Sequence, residues 1–302
     1  MQRRAAQPVE LRHGITWICG DAMNVHDVKS AAEGCSVIVH AVNPPGYRRW
    51  PQLVLPMLDN SIAAATALGA TVVLPGTVYN FGPDAFPVLT EESPQHPVTR
   101  KGAIRVEMER RLLAASTQDA RVLIVRAGDF FGPRAQSNWF AQGLIQPGKS
   151  VKIVRNPGSP GVGHQWSYIP DVARTIALLL TRRDSLEPFA AFHVAGHWDP
   201  DGSLMIESIR HVMTRRTGRT PRIGAFPWGF LTLASPFVVP FREMGEMRYL
   251  WREPLRMDNA RLTAFLGREP HTPLAEAVEA TLLGLGAIAA PGGPATAAQS
   301  AR

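Results

Sequence analysis

The sequence predicts an α/β fold organised around a parallel β-sheet. Apolar runs typical of buried parallel strands occupy residues 36–42, 71–77 and 121–126. Helical segments follow the first two runs, at 56–68 and from 101 to about 115. This alternation of strand and helix is typical of a doubly wound sheet with right-handed crossovers.

Shorter signals predict the neighbouring elements. Residues 14–21 read as a strand that ends in Gly-Asp, and residues 25–33 as a short helix. The strand at 36–42 stops at an Asn-Pro-Pro-Gly sequence, because proline disfavours continued regular structure in itself and in the residue before it. Gly69 ends the helix at 56–68.

Beyond residue 126 the sequence becomes looser and richer in proline and glycine. The glycines at 147–163 lack a strand-to-helix context, which predicts a loop rather than a phosphate-binding turn. A short strand at 192–196 and a helix at 204–214 follow. Residues 227–259 are rich in aromatic side chains and methionine, which suits a small substrate-facing cap, although most such residues are expected to pack in a core.

Composition narrows the function classes. The chain has 302 residues, of which 45% are hydrophobic and 19% charged, as in an ordinary globular protein. Its net charge of +7 would permit binding to nucleic acid, but the basic residues are scattered and no nucleic-acid-binding motif is present. The sequence therefore predicts no nucleic-acid partner.

Cysteines and targeting signals add two expectations. Cys19 and Cys35 have no metal or redox spacing, so we predict that both are small buried residues and that there is no metal site. Residues 1–8 lead into no apolar signal segment. The apolar stretch at 228–241 is too short to span a bilayer and contains two prolines. We therefore expect a cytoplasmic protein with no membrane partner.

One group of residues has the placement of a reaction site. Thr77 ends a predicted strand, and Lys101 and Arg105 stand at i and i+4 at the start of the next helix, so both project from one face. Strand tip and helix face would meet at one crevice. The alternative is a solvated helix face on which Glu107 and Glu109 accompany the two cations.

The sequence Thr77-Val78-Tyr79-Asn80-Phe81-Gly82 before a basic helix resembles the extended short-chain dehydrogenase/reductase family, also called NAD-dependent epimerase/dehydratase. In that family a Ser or Thr at a strand tip works with a Tyr-x-x-x-Lys pair on the next helix. Aligning residues 107–110 with the family's acidic continuation puts Lys101 in the tyrosine position and Arg105 in the lysine position.

The resemblance implies a domain organisation. A Rossmann-like NAD(P)-binding domain would cover 8–163, with segments to about 195. A return segment and substrate cap would cover 164–285, and a disordered tail rich in Ala, Gly and Pro would cover 286–302.

The resemblance also implies cofactor contacts. Asp21 would touch the adenine, although a turn or cap role fits it equally, and Asn60 would lie beside the active site unless it is only locally bonded. Ala41 and Val42 would line the cofactor after a central strand, and the loop with Ala127, Gly128, Asp129 and Phe130 would pass under the nicotinamide. Ala22 and Lys101 are the other implied cofactor residues.

The altered pair changes the expected chemistry. Lys101 would take over the proton transfer of the tyrosine, and burial or the Arg105 guanidinium would lower its pKa from the ordinary value of ~10.4. Thr77 would hold the substrate oxygen, and Tyr79 is an alternative acid.

The predicted function is that of an NAD- or NADP-dependent oxidoreductase or epimerase. Its substrate would be a sugar nucleotide or another small hydroxyl or carbonyl compound. The alternatives are a non-catalytic sensor or scaffold that binds NAD(P) or a metabolite, and an inactive truncated product. The partner is a small-molecule substrate, and a homodimer is left open. The sequence defines neither the substrate nor the choice between NAD and NADP.

The family's first strand and its Gly-x-x-Gly-x-x-Gly turn do not precede Gly14. Without that strand, neighbouring strands would keep unpaired backbone groups, at ~1–3 kcal/mol each. Three explanations are open: Met1 is an internal start and the native chain begins about thirty residues earlier; the chain is genuinely short and pairs with a partner or rearranges its sheet; or it is a decayed copy that binds nothing.

Overall fold

The structure is a computed structural model that describes residues 9–44, 49–118 and 120–289. The chain divides into two compact units that alternate along the sequence. The first unit comprises residues up to Ala85, Glu91–Arg126 and Leu179–His193. The second comprises Phe86–Thr90, Ala127–Leu178 and residues from Val194 onward.

Strands and helices alternate through much of the described chain. The strands are β1 (Val9–Arg12), β2 (Ile15–Ile18), β3 (Val37–Val39), β4 (Thr71–Thr77), β5 (Val88–Leu89), β6 (Arg121–Ala127), β7 (Asp129–Phe131), β8 (Ile153–Asn156), β9 (His164–Tyr168), β10 (Phe189–His193), β11 (His197–Asp199), β12 (Arg222–Ala225) and β13 (Arg256–Met257). The α-helices are α1 (Val25–Ala31), α2 (Trp50–Leu68), α3 (Arg100–Ser116), α4 (Ile169–Thr181), α5 (Leu204–Thr217), α6 (Trp228–Ala234), α7 (Val239–Glu246), α8 (Ala260–Leu266) and α9 (Leu274–Gly284). The predicted α/β class is confirmed.

The first unit contains a four-stranded sheet in the order β10-β6-β4-β3. β10 pairs with β6 and β3 pairs with β4, both in parallel. Nearly every residue of β4 and β6 is buried, as expected of parallel strands that are covered on both faces. The core that covers them joins the sheet to α2 and α3 through residues including Val54, Leu58, Val72, Leu74, Met108, Leu112 and Ile124.

β3 is an edge strand of this sheet, because within the described residues it pairs only with β4. Its last residue, Val39, is 50% exposed. The central part of the predicted strand at 14–21 is β2, which forms an antiparallel hairpin with β1. This arrangement explains why the prediction of two buried cysteines is wrong: Cys19 follows the hairpin, Cys35 precedes the edge strand, and both are exposed.

The second unit is built from three small sheets, in the orders β11-β9-β7, β12-β8 and β13-β5. Its interior is aromatic. The ring of Phe131 lies 5.7 Å from that of Phe140 and 6.3 Å from that of Trp166. Ala287 and Ile288, at the start of the predicted tail, are buried, and residues 290–302 lie outside the described part.

Candidate active site

Thr77 lies where the sequence places it, at the carboxyl end of β4. It is buried and has extended backbone angles. Its hydroxyl oxygen accepts a hydrogen bond of 3.3 Å from the backbone N–H of Tyr79, which caps the short 3₁₀ turn Val78–Asn80. The hydroxyl is therefore held at the carboxyl edge of the sheet, where open α/β sheets bind ligands.

The start of α3 packs against this turn. Thr99 caps the helix by accepting a hydrogen bond of 3.0 Å from the N–H of Gly102. A Cβ atom at Gly102 would stand only 2.2 Å from the carbonyl oxygen of Tyr79. Only glycine permits this close approach, which brings the turn after Thr77 and the first turn of the helix together. Lys101 lies in that first turn and is 4% exposed.

Arg105, one turn further along the helix, is half-buried. Its guanidinium carbon lies 5.3 Å from the ring centre of Trp50 at the start of α2. A stacked guanidinium remains charged and makes a cation–π contact. Arg105 is thus a positive charge within the first unit rather than on a solvated helix face.

His40, which sequence reasoning did not select, is a buried neighbour of this charge. Its Nδ1 lies 2.9 Å from the Ser61 hydroxyl, which donates its own proton to the carbonyl of Met57. Nδ1 therefore donates to Ser61, and Nε2 is left as an acceptor. Nε2 is buried and has no hydrogen-bond partner among the described residues. The available signal was a histidine within the apolar run at 36–42.

Burial, reinforced by the charge of Arg105, lowers the pKa of His40 to about 4. Both effects disfavour the imidazolium form. His40 is therefore neutral near pH 7 and presents a lone pair immediately after β3.

A buried ion pair anchors α3 behind the site. Glu109 accepts hydrogen bonds from Nε of Arg126 at 3.0 Å and from its Nη2 at 2.7 Å. Nη1 of Arg126 lies 3.0 Å from Nε2 of His193 on β10. Gly76 on β4 leaves room for this arginine, since a Cβ there would stand 2.7 Å from Cγ of Arg126.

The same carboxylate is connected to the turn after Thr77. Gln95 donates to Glu109 at 2.9 Å and accepts from the Asn80 amide at 3.0 Å. Asn80 is fully buried at the end of that turn. Hydrogen bonds thus join the turn, the helix that carries Lys101 and strand β6. Sequence reasoning used Glu109 for alignment and as part of an alternative solvated helix face; Glu109 is instead buried, and this network was not foreseen.

Two of the predicted cofactor residues have structural partners. Asp21 forms a turn, because its carboxylate accepts from the N–H of Met23 and its own N–H donates to Asp27. Asn60 donates to the carbonyl of Ala22 at 2.8 Å. The Asp21 contacts match the turn role that the sequence left open. The Asn60 bond instead joins α2 to the segment before α1, 38 residues away in the chain, and is not a local bond. Ala41 and Val42 follow the edge strand β3 and are exposed.

The predicted nicotinamide loop, Ala127 to Phe130, belongs to the second unit. The N–H of Gly128 donates to the Ser167 hydroxyl at 3.0 Å. The carboxylate of Asp129 is buried and lies 2.8 Å from Nε2 of His164. His164 in turn stacks on Trp251, with ring centres 3.7 Å apart. Asp129 therefore has an imidazole partner within its own unit.

Within the described part of the chain, no three His, Cys, Asp or Glu residues are grouped as metal ligands. No helix among the described residues is long and apolar enough to cross a bilayer.

The model of the NAD dependent epimerase/dehydratase family matches residues 2–195. No curated protein matches.

Several solved structures share the fold. MoeE5 in complex with UDP-glucose and NAD is 16% identical, with a TM-score of 0.66, over 88% of this chain and 84% of that one. RMD from Pseudomonas aeruginosa, complexed with NADPH, is 17% identical, with a TM-score of 0.65, over 88% and 85%. UDP-glucose 4-epimerase of Thermus thermophilus, in complex with NAD, is 18% identical, with a TM-score of 0.64, over 91% and 86%.

Proposed function

Since the chain belongs to the NAD dependent epimerase/dehydratase family, we propose that it is an NAD(P)-linked oxidoreductase of the epimerase/dehydratase type. Its substrate would be a sugar nucleotide or another small hydroxyl or carbonyl compound. The structurally similar proteins support this class, because they were solved with UDP-glucose and NAD or with NADPH. The observation that carries the proposal is the buried Lys101 on the helix turn that packs against the turn after Thr77.

In this proposal Lys101 transfers the proton. Lysine is rarely buried in folded proteins, so a buried lysine in a packed helix turn is a candidate for a functional role. The amine would take a proton from a substrate hydroxyl as it becomes a carbonyl, and would return it in the reverse direction. The Thr77 hydroxyl would hold the same oxygen.

Arg105 contributes a fixed positive charge. Its guanidinium stays protonated and is positioned by the Trp50 ring. A cation near the reacting oxygen stabilises negative charge that develops there. Tyr79 remains an alternative acid in this proposal.

The cofactor fits the described residues only in part. Phosphate groups are usually held by a glycine-rich turn that opens a helix. Among the described residues, α1 opens instead at Asn24, next to the carboxylates of Asp21 and Asp27, and carboxylates repel phosphate. The proposed substrate end, around Thr77 and Lys101, has suitable donors. The cofactor, when bound, would accept and return a hydride.

A non-catalytic binding protein of the same fold is the second candidate. One observation favours it: in the alignment through residues 107–110, Lys101 and Arg105 stand where the family has its Tyr-x-x-x-Lys pair, so the usual proton-transfer group is missing. A sensor needs only to bind the cofactor or a metabolite and would not consume it.

The first experiment separates these two functions. NAD⁺, NADH, NADP⁺ and NADPH are titrated into the full chain by calorimetry, and UDP-sugars are then tested for turnover. Binding with turnover supports the enzyme, and binding without turnover supports the sensor. Binding of none of the four to the folded chain would contradict the enzyme and a cofactor sensor, and would favour a sensor of another metabolite or a scaffold.

Where turnover is found, Lys101→Met should reduce it by about 10²–10⁴-fold, since the proton-transfer group is removed. The matched control is Lys149→Met, because Lys149 is exposed. Unchanged turnover in Lys101→Met would exclude Lys101 as the acid/base group.

A further inference from the structure

The stretch from 226 to 241 contains no charged residue. Aromatic and apolar side chains in such a stretch were expected mostly to form core. Instead, α6 and the segment that leads into α7 expose three large apolar side chains. The exposed fractions are 61% for Phe230, 78% for Leu233 and 88% for Phe237.

This segment, which we call the α6–α7 hairpin (residues 228–246), is folded rather than loose. The N–H groups of Phe237 and Val238 donate to the carbonyl of Ala234, and the ring of Phe230 lies 5.9 Å from that of Phe241. Leu231 on the opposite side of α6 is buried. The hairpin therefore has a buried side and an exposed apolar side.

The inner side of the hairpin is anchored to the second unit. The indole N–H of Trp228 donates to the carbonyl of Pro157 at 2.8 Å. The guanidinium of Arg248 lies over the ring of Trp228, 5.0 Å from its centre. The exposed side is consequently presented by a supported element. Single exposed apolar residues are ordinary on protein surfaces, but several on one element indicate an interaction site.

In the sequence on both sides of the hairpin, most exposed charged residues are positive. From 219 to 256 the exposed charged residues are Arg219, Arg222, Arg242, Arg252, Arg256 and Glu253. Glu243 and Glu246, on α7, are half-buried. In the sequence, the uncharged apolar tip is thus flanked on both sides by exposed arginines, in a chain with a net charge of +7.

We propose that the α6–α7 hairpin docks on the surface of an anionic phospholipid bilayer. Phe230, Leu233 and Phe237 enter the boundary between headgroups and acyl chains, and the neighbouring arginines contact lipid phosphates. Interfacial elements combine an apolar face with cations in this way, and each cation near an anionic surface adds attraction. Charge complementarity favours a lipid surface over an apolar groove on another protein.

Surface attachment differs from membrane spanning. The sequence predicted no membrane partner because no apolar segment is long enough to cross a bilayer. Docking by three side chains requires no such segment, since it buries only the exposed side of the hairpin.

The test is flotation of the full chain with vesicles of phosphatidylcholine alone or with about 30% phosphatidylglycerol. We expect binding to the anionic vesicles only. The variant Phe230→Ser/Leu233→Ser/Phe237→Ser should bind at least about tenfold more weakly than the unmodified chain, because the inserted apolar area is gone. The variant Arg222→Gln/Arg242→Gln should bind the anionic vesicles more weakly, and its binding should depend less on salt concentration.

The control variant is Leu113→Ser/Leu178→Ser/Leu204→Ser, which removes three other exposed leucines and should bind as the unmodified chain does. Circular dichroism checks that each variant is folded. No binding by the unmodified chain, equal binding to neutral vesicles, or full binding by the serine variant would each overturn the proposal. If the unmodified chain self-associates, does not bind vesicles, and loses its self-association in the serine variant, the hairpin docks on a second copy of the chain instead.

Discussion

Both faces of α3 carry Glu–Arg ion pairs, but the two sets of pairs have different surroundings. On the inner face Glu109 holds Arg126, and both side chains are almost completely buried. On the outer face Glu107 pairs with Arg110 at 2.6 Å and with Arg111 at 2.8 Å, and these groups are in contact with solvent. The distances are similar, so distance alone does not distinguish the two sets of ion pairs.

Burial decides what each face contributes. Water screens the outer pairs, and such pairs typically contribute little to stability. The inner pair has lost its hydration, so each partner depends on the other. The inner face also carries Lys101 and Arg105, which places the proposed chemistry on the face where charges interact most strongly.

The largest expected effect is that of breaking the inner pair. Glu109→Ala leaves Arg126 buried without its carboxylate and should lower the free energy of unfolding by about 3–5 kcal/mol. Urea denaturation followed by circular dichroism measures it. Adding Arg126→Met to Glu109→Ala should recover much of the loss. A double variant no more stable than the single one would show that the stranded arginine is not the cause of the loss.

The next effect concerns the imidazole beside Arg105. Unfolded His40 has an ordinary pKa near ~6.5, whereas the folded pKa is about 4. Between these values only the unfolded chain binds the proton, so stability is complete above about pH 6.5 and falls as the pH drops toward 4. The loss is on the order of 3 kcal/mol.

His40→Gln should remove this part of the pH dependence, measured as urea unfolding at several pH values. His197, whose pKa burial also lowers to about 4, should keep its own contribution in that variant. A pH profile unchanged by His40→Gln would mean that His40 is not buried neutral.

A smaller effect tests how closely the inner face approaches the turn after Thr77. Gly102→Ala places a methyl group against the carbonyl of Tyr79 and should cost about 1–3 kcal/mol in stability. The control is Gly229→Ala in α6, where a Cβ meets no atom within 4 Å. That change should be neutral or should stabilise by up to about 1 kcal/mol, and equal thermal shifts in both variants would contradict the close approach.

The smallest effect belongs to the outer face. Glu107→Ala removes pairs that lower the pKa of this carboxyl to about 2 by hydrogen bonding to Arg110 and Arg111. Stability should nevertheless change by less than about 1 kcal/mol, and the change should shrink in high salt. A loss comparable to that of Glu109→Ala would erase the distinction between the two faces.

Much of the first unit followed from sequence patterns. The runs at 71–77 and 121–126 are strands, and the helix predicted from 101 is α3, because long periodic segments are set by local propensity and burial together. The helix predicted from Pro56 begins at Trp50 instead and continues through the proline. The strand predicted at 192–196 is β10 at Phe189–His193.

The candidate site was predictable only in outline. The positions of Thr77 at a strand end and of Lys101 in the first turn of a helix were predictable, because both follow from sequence order; their roles stay predictions. Gln95, Arg126 and His193 were not found, because their contacts join residues distant in the chain and no local pattern records them. The exposed tip at Phe230, Leu233 and Phe237 was missed because hydrophobicity predicts burial without showing what is available to cover a surface.

The space that Gly76 leaves for Arg126 has an evolutionary consequence. A larger residue at 76 is tolerated only after the arginine has gone, and the arginine can leave only together with Glu109, since either partner alone is stranded in the interior. Descendant sequences should therefore change these three positions in a fixed order or keep all three. Few substitutions are therefore tolerated at these three positions, whereas many should be tolerated at Glu107, on the outer face of the same helix.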